Sequence, residues 1–190
     1  QAILNAARDL FITEGYGNVS MRKVAERIEY SPAAIYSYFP TKAALFQAAI
    51  THRVESQFGP QGSARLDPGN PRAALTQIGR SFLALMRSPD VINQHRSLYG
   101  ALGQETLAAE GFFAAGPQKL VDAVEEYLRA TQRAGRLRVT NTAMAANQYL
   151  SLFLGLGQVR SLLGLTPPTK REDDALLKAN VELFMRAFAP

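Results

Sequence analysis

No cysteine occurs in the 190 residues. That absence excludes disulfides, thiolate metal sites and cysteine nucleophiles together, and it fits a reducing cytoplasm. Histidine is nearly missing as well. His52 and His95 are the only two and lie far apart in the chain, so no histidine-built metal site is expected, and nothing points to a cofactor. An uninterrupted membrane-spanning run is lacking too: the most apolar stretch, 143–165, is broken by Asn147, Gln148, Gln158 and Arg160. Strand-like alternation bounded by turn residues does not occur, nor does an internal repeat or a low-complexity tract. Nor is there a large excess of one charge. Twenty-one Lys and Arg against sixteen Asp and Glu give a net charge of +5. A protein that coats nucleic acid by charge alone is more lopsided, so any such contact must be local.

What is present is a chain 47% hydrophobic, long enough to bury a sizeable core as one large domain or as a small one joined to a larger. It begins with Gln1, already inside an apolar pattern, so the natural N-terminus is expected to precede it. Punctuation by Gly and Pro at 59–63 and 67–71 divides the chain into a first domain, 1–57, and a second, 58–190. Before the division the apolar spacing predicts four helices. Ile3, Leu4, Ala7, Leu10 and Phe11 line the first, which stops at Gly15. Ser20 caps the second, with Val24, Ala25 and Ile28 on one face. Ser31-Pro32 opens the third, a cap followed by proline at the first helical position. Thr41 opens the fourth, which runs to about Gln57. Beyond Pro71 helices are expected at 72–88, 90–103, 105–115, 117–134, 140–163 and 171–188. The fold class is all-α: a small helical unit followed by a helical bundle.

Helices two and three are separated by only Glu29 to Ser31, the tight joint of a helix-turn-helix. Residues 1–57 carry six basic and five acidic side chains, so position says more than sum. Arg22 and Lys23 fall in the first turn after Ser20, and Lys42 follows Thr41. A cation at a helix N-terminus opposes the helix dipole by roughly 0.3–1 kcal/mol. A phosphate against the same turns reverses the sign. With Ile35 and Phe39 inward, helix three turns Ser31, Ala33, Ala34, Ser37 and Tyr38 outward. Small residues let a helix sit deep in the major groove, and hydroxyls reach phosphates or base edges.

These residues resemble the DNA-binding domain of the TetR/AcrR family of bacterial transcriptional regulators. The likeness runs through Ala6-Ala7, Leu10-Phe11, Glu14-Gly15-Tyr16, Ser20-Met-Arg22, Val24-Ala25, Ser31-Pro-Ala-Ala-Ile-Tyr36, Tyr38-Phe39, Thr41-Lys42 and Leu45. It implies that Arg22, Tyr36 and Lys42 touch phosphates, that Ser31, Ala33, Ala34, Ser37 and Tyr38 face the groove, and that Ser20 belongs to the same DNA-facing set. It also implies a homodimer built on helices 140–163 and 171–188. Three positions depart from the family pattern. Glu29 stands where glycine is usual in the turn, Ser37 is smaller than the common polar residue, and Ala43-Ala44 removes the acids that would complete a capping box with Thr41.

The resemblance further implies a small-molecule effector in the larger domain. Candidate lining residues are Phe82, Met86, His95, Tyr99, Phe112, Phe113, Tyr127, Gln148 and Phe153. Glu125-Glu126 and Asp173-Asp174 read as exposed helix charge, and no nucleophile and base stand at a recognisable spacing, so catalysis is not expected. The sequence reads as a ligand-responsive repressor of a pseudo-palindromic operator in double-stranded DNA, without a membrane role. The alternatives are a family activator and a small-molecule or lipid carrier with no DNA role.

Overall fold

The computed structural model describes residues 1–58, 66–101 and 106–190. Among these the regular structure is helical, and packing divides the chain into two compact units. The first comprises 1–57 and 89–119, the second 58–88 and 120–190. This division by packing differs from the division by function expected at 57/58, because 89–119 packs with the N-terminal helices. The breaker run 59–63 lies outside the described residues, as do the last residues of the helix expected at 90–103 and the first of the helix expected at 105–115.

In the first unit, α1 (Ala2–Glu14) ends at Gly15, whose φ of 82° suits glycine and whose N–H reaches the Phe11 carbonyl at 3.2 Å. A short 3-10 turn (Tyr16–Asn18) leads to α2 (Met21–Arg27), α3 (Pro32–Tyr38) and α4 (Lys42–Phe58). Phe11, Tyr16 and Phe46 form the aromatic centre of the core, with ring centroids 4.9–5.8 Å apart. Around them Ala7, Val24, Ala25, Ile35 and Leu45 are fully buried. After the gap come α6 (Pro89–Ala101) and α7 (Thr106–Phe113). Phe112 of α7 stacks on Phe46 with centroids 6.0 Å apart.

In the second unit, α5 (Pro71–Arg87) opens on Asn70, whose side chain accepts from Ala73 N, with proline at the first helical position. It packs on α11 (Lys170–Ala187) across Gly79. A Cβ there would stand 2.7 Å from both Leu177 Cδ1 and Phe153 Cζ, so only glycine permits this approach. Tyr149 is fully buried and donates its hydroxyl to the Leu75 carbonyl at 2.5 Å. The α11 start is a complete capping box, Thr169 with Glu172.

Two helix boundaries differ from expectation. The single helix expected over 140–163 is two, α9 (Thr142–Ser151) and α10 (Gly155–Leu162). Between them Phe153 and Leu154 bond three residues back, and Gly155 takes a φ of 24°. Asn180 Nδ2 donates to the Leu152 carbonyl at 2.9 Å and engages an acceptor that a continuous helix would use internally. The break expected between 115 and 117 is a π turn (Ala114–Gln118) that contains Pro117 and leads straight into α8 (Lys119–Arg133). Proline has no N–H to offer the ladder, and the wider turn accommodates it.

Candidate nucleic-acid interface

Two caps fix the helix pair. Ser20 Oγ accepts from Lys23 N, and Ser31 Oγ accepts from Ala34 N, each at 3.2 Å. Between α2 and α3 the chain turns at Glu29, whose φ is 58°. The turn is therefore strained where glycine would not be, since a side chain in the left-handed region clashes with its own carbonyl. The α3 backbone is anchored from beneath by fully buried Ile35, while Ser31, Ala33, Tyr36, Ser37 and Tyr38 are exposed and Ala34 is half-buried. Tyr38 keeps 69% of its surface and Tyr36 52%, large values for aromatic side chains. Ser37 Oγ donates to the Ala34 carbonyl at 2.7 Å, so its proton stays within the helix.

The cations around this face are internally paired. Arg22 Nε donates to Glu26 Oε1 at 2.8 Å, and that bond raises the Arg22 pKa above its ordinary value. Lys23 bonds Glu14. Both pairs are exposed, where such bridges are worth little and exchange readily for a phosphate. Lys42 differs. Its Nζ donates to the Tyr16 carbonyl at 3.0 Å and lies 4.3 Å from the Tyr16 ring centroid. It joins the start of α4 to the 3-10 turn, and two donor hydrogens remain for another partner. At the same start Thr41 Oγ1 accepts from Ala44 N at 3.0 Å, a cap without the capping box, as Ala43-Ala44 implies.

The expected effector residues fall in both units. In the first, His95 stacks on Tyr99 at 5.7 Å and meets Phe112 edge-on at 6.0 Å, while Tyr99 and Phe113 are largely exposed. In the second, Phe82, Met86, Tyr127 and Phe153 are buried in the core, and Gln148 is exposed. Tyr127 donates its hydroxyl to the Asp67 carbonyl at 3.0 Å.

Sequence reading missed a polar junction here. Arg87 bonds Asp173 at 3.2–3.3 Å and Gln158 at 2.7 Å, tying α5 to α10 and α11. Asp173 is thus a half-buried partner, not plain exposed charge. An arginine closing the apolar run Phe82–Met86 was the available signal. An open groove of about 880 Å³ runs beside this junction between α5 and α11, and none of the expected effector residues lines it.

Compared with known proteins, residues 3–49 match the bacterial regulatory proteins of the tetR family. Residues 73–190 match the C-terminal domain of AefR-like transcriptional repressors. The chain belongs to the TetR family, a class of DNA-binding transcriptional regulators and not of enzymes. Family membership goes against the carrier without a DNA role. The HTH-type transcriptional repressor KstR of Mycolicibacterium smegmatis is 33% identical over 88 residues, 46% of this chain and 43% of that protein. The flavonoid-responsive regulator FrrA matches in structure with a TM-score of 0.76 at 28% identity, covering 100% of this chain and 96% of that one. A TetR regulator from Agrobacterium tumefaciens superposes with a TM-score of 0.81 at 19% identity, over 99% of this chain and 93% of that one, a likeness of fold alone. The chain spans less than half the length of the curated relatives it matches. Among the described residues no helix is long and apolar enough to cross a membrane.

Proposed function

We propose that this chain is a cytoplasmic, ligand-responsive repressor that binds a pseudo-palindromic operator as a homodimer. The observation that carries the proposal is α3. It is capped by Ser31, anchored by Ile35, and exposed along its other side within the segment that matches the tetR family. Residues 1–57 serve DNA, with Ser31, Ala33, Ala34, Ser37 and Tyr38 toward the groove, Arg22, Tyr36 and Lys42 toward phosphates, and Ser20 in the same DNA-facing set. Two copies of α3 enter successive major grooves roughly 34–36 Å apart.

Residues 58–190 serve dimerisation and the effector. Leu156, Val159 and Leu163 recur at one-turn intervals near α10, and the two leucines keep 81% and 70% of their surface. Leu183 on α11 is exposed as well. Bare leucines in that register fit a helix-to-helix interface with a second copy. A relative that responds to flavonoids supports an apolar or aromatic effector, for which Phe82, Met86, His95, Tyr99, Phe112, Phe113, Tyr127, Gln148 and Phe153 are the candidates.

The test is binding of the purified chain to fragmented genomic DNA at low and moderate salt, with the retained fragments sequenced. A few fragments sharing an inverted repeat are expected at both salts. Retention of nothing, or of all fragments alike, overturns the reading. Release of those fragments by a small molecule tests the effector arm.

A further inference from the structure

The outward face of α3 is unusual in its chemistry. From Ser31 to Phe39 there is no Lys, Arg, Asn, Gln, Asp or Glu. Those are the side chains that read base edges in the major groove by hydrogen bonds: Arg and Lys for guanine, Asn and Gln for adenine, Asp and Glu for cytosine. The two serines are engaged by the helix itself, Ser31 accepting from Ala34 N and Ser37 donating to the Ala34 carbonyl. Apart from the Ser31 hydroxyl proton and the phenol tips of Tyr36 and Tyr38, what remains toward a groove is carbon: the exposed methyl of Ala33, the edge of Ala34 and the 69%-exposed ring of Tyr38. Ala34 and Tyr38 are four residues apart and share one side of the helix.

The major groove offers one apolar mark, the C5-methyl group of thymine. We propose that this regulator reads its operator through thymine methyls, with Ala33, Ala34 and Tyr38 as the specificity-determining residues. Arg22 and Lys23 in the first turn of α2 and Lys42 at the start of α4 bring charge to the backbone, which holds α3 against DNA without selecting a sequence. The inference rests on α3 being the helix that enters the groove. It assigns the half-site centres to A·T pairs whose methyls meet α3.

The experiment uses the full chain and one retained genomic fragment, prepared with thymidine and again with deoxyuridine throughout. Loss of each buried methyl is expected to weaken specific binding about fourfold. Binding to unrelated DNA stays the same. Ala33→Gly weakens binding to thymine DNA as well, and its effect shrinks on uracil DNA because the partner methyl is already gone. Any general loss of helix stability in this variant acts on both DNAs and cancels in that comparison. Undiminished specific affinity for uracil DNA overturns the methyl reading and leaves the repressor proposal standing. A chain that selects no sequence in either DNA overturns both.

Discussion

At the scale of single residues, Glu29 and Lys42 carry the clearest consequences. Glu29 holds a φ of 58° in an exposed turn, so its side chain contributes strain and no burial. Glu29→Gly is expected to stabilise the fold by about 1 kcal/mol, the relief of left-handed strain less the entropy glycine loses. Urea melts of the two proteins measure it, and an unchanged or lower midpoint goes against strain at this turn. Lys42→Ala removes the bond to the Tyr16 carbonyl and the contact with its ring, a loss of about 1–2 kcal/mol of stability. If Lys42 also holds a phosphate, the same variant lowers the salt dependence of DNA binding by about one unit of slope. Loss of stability with an unchanged slope assigns it to structure alone. Glu29 was legible in the sequence because its neighbours demand a turn there. The Tyr16 carbonyl was not, because it lies 26 residues from Lys42 and becomes its partner only when α4 packs.

At the scale of elements, caps were the most legible features. Ser20, Ser31 and Thr41 announce helix starts by local chemistry, and each accepts the amide expected of a cap. The break between α9 and α10 was hidden for the opposite reason: it depends on Asn180, 28 residues beyond Leu152. The α11 helix is held by carboxylates at both ends. Hydrogen bonds from Thr169 hold the Glu172 carboxyl below its usual pKa, and Arg72 with Arg186 does the same for Glu182. A carboxylate with a depressed folded pKa contributes stability above its unfolded pKa and loses it as pH falls through the folded value. Glu182→Gln is therefore expected to be less stable than the parent at neutral pH and to converge with it at acid pH. Thermal melts across that range check the prediction, and a pH-independent gap contradicts it.

At the scale of the whole molecule, the chain order and the packing order differ. Residues 89–119 follow the linker in sequence but belong to the compact unit of the N-terminal helices. A reading by punctuation separates stretches of chain and has no access to which stretches later share a core. The exposed leucines near α10 lead to a test of assembly. Leu156→Glu is expected to leave the monomer folded, since Leu156 is 81% exposed, and to shift sedimentation toward one copy. Operator affinity falls with it, because a single half-site lacks its neighbour. A variant that still sediments as a dimer moves the interface elsewhere.

The buried phenol of Tyr149 has a practical consequence. The chain has no tryptophan, so tyrosine dominates its absorbance at the long-wavelength end of the near ultraviolet. Burial pushes the Tyr149 pKa far above the ordinary tyrosine range, and the hydroxyl stays on the Leu75 carbonyl. A raised folded pKa means the stability it brings is whole below the unfolded value and is lost as pH rises through the folded one. In an alkaline titration this phenol is expected to ionise after the exposed tyrosines and together with opening of the core around Gly79, so a late, cooperative step in phenolate absorbance is expected to report unfolding. It needs no label and no engineered probe.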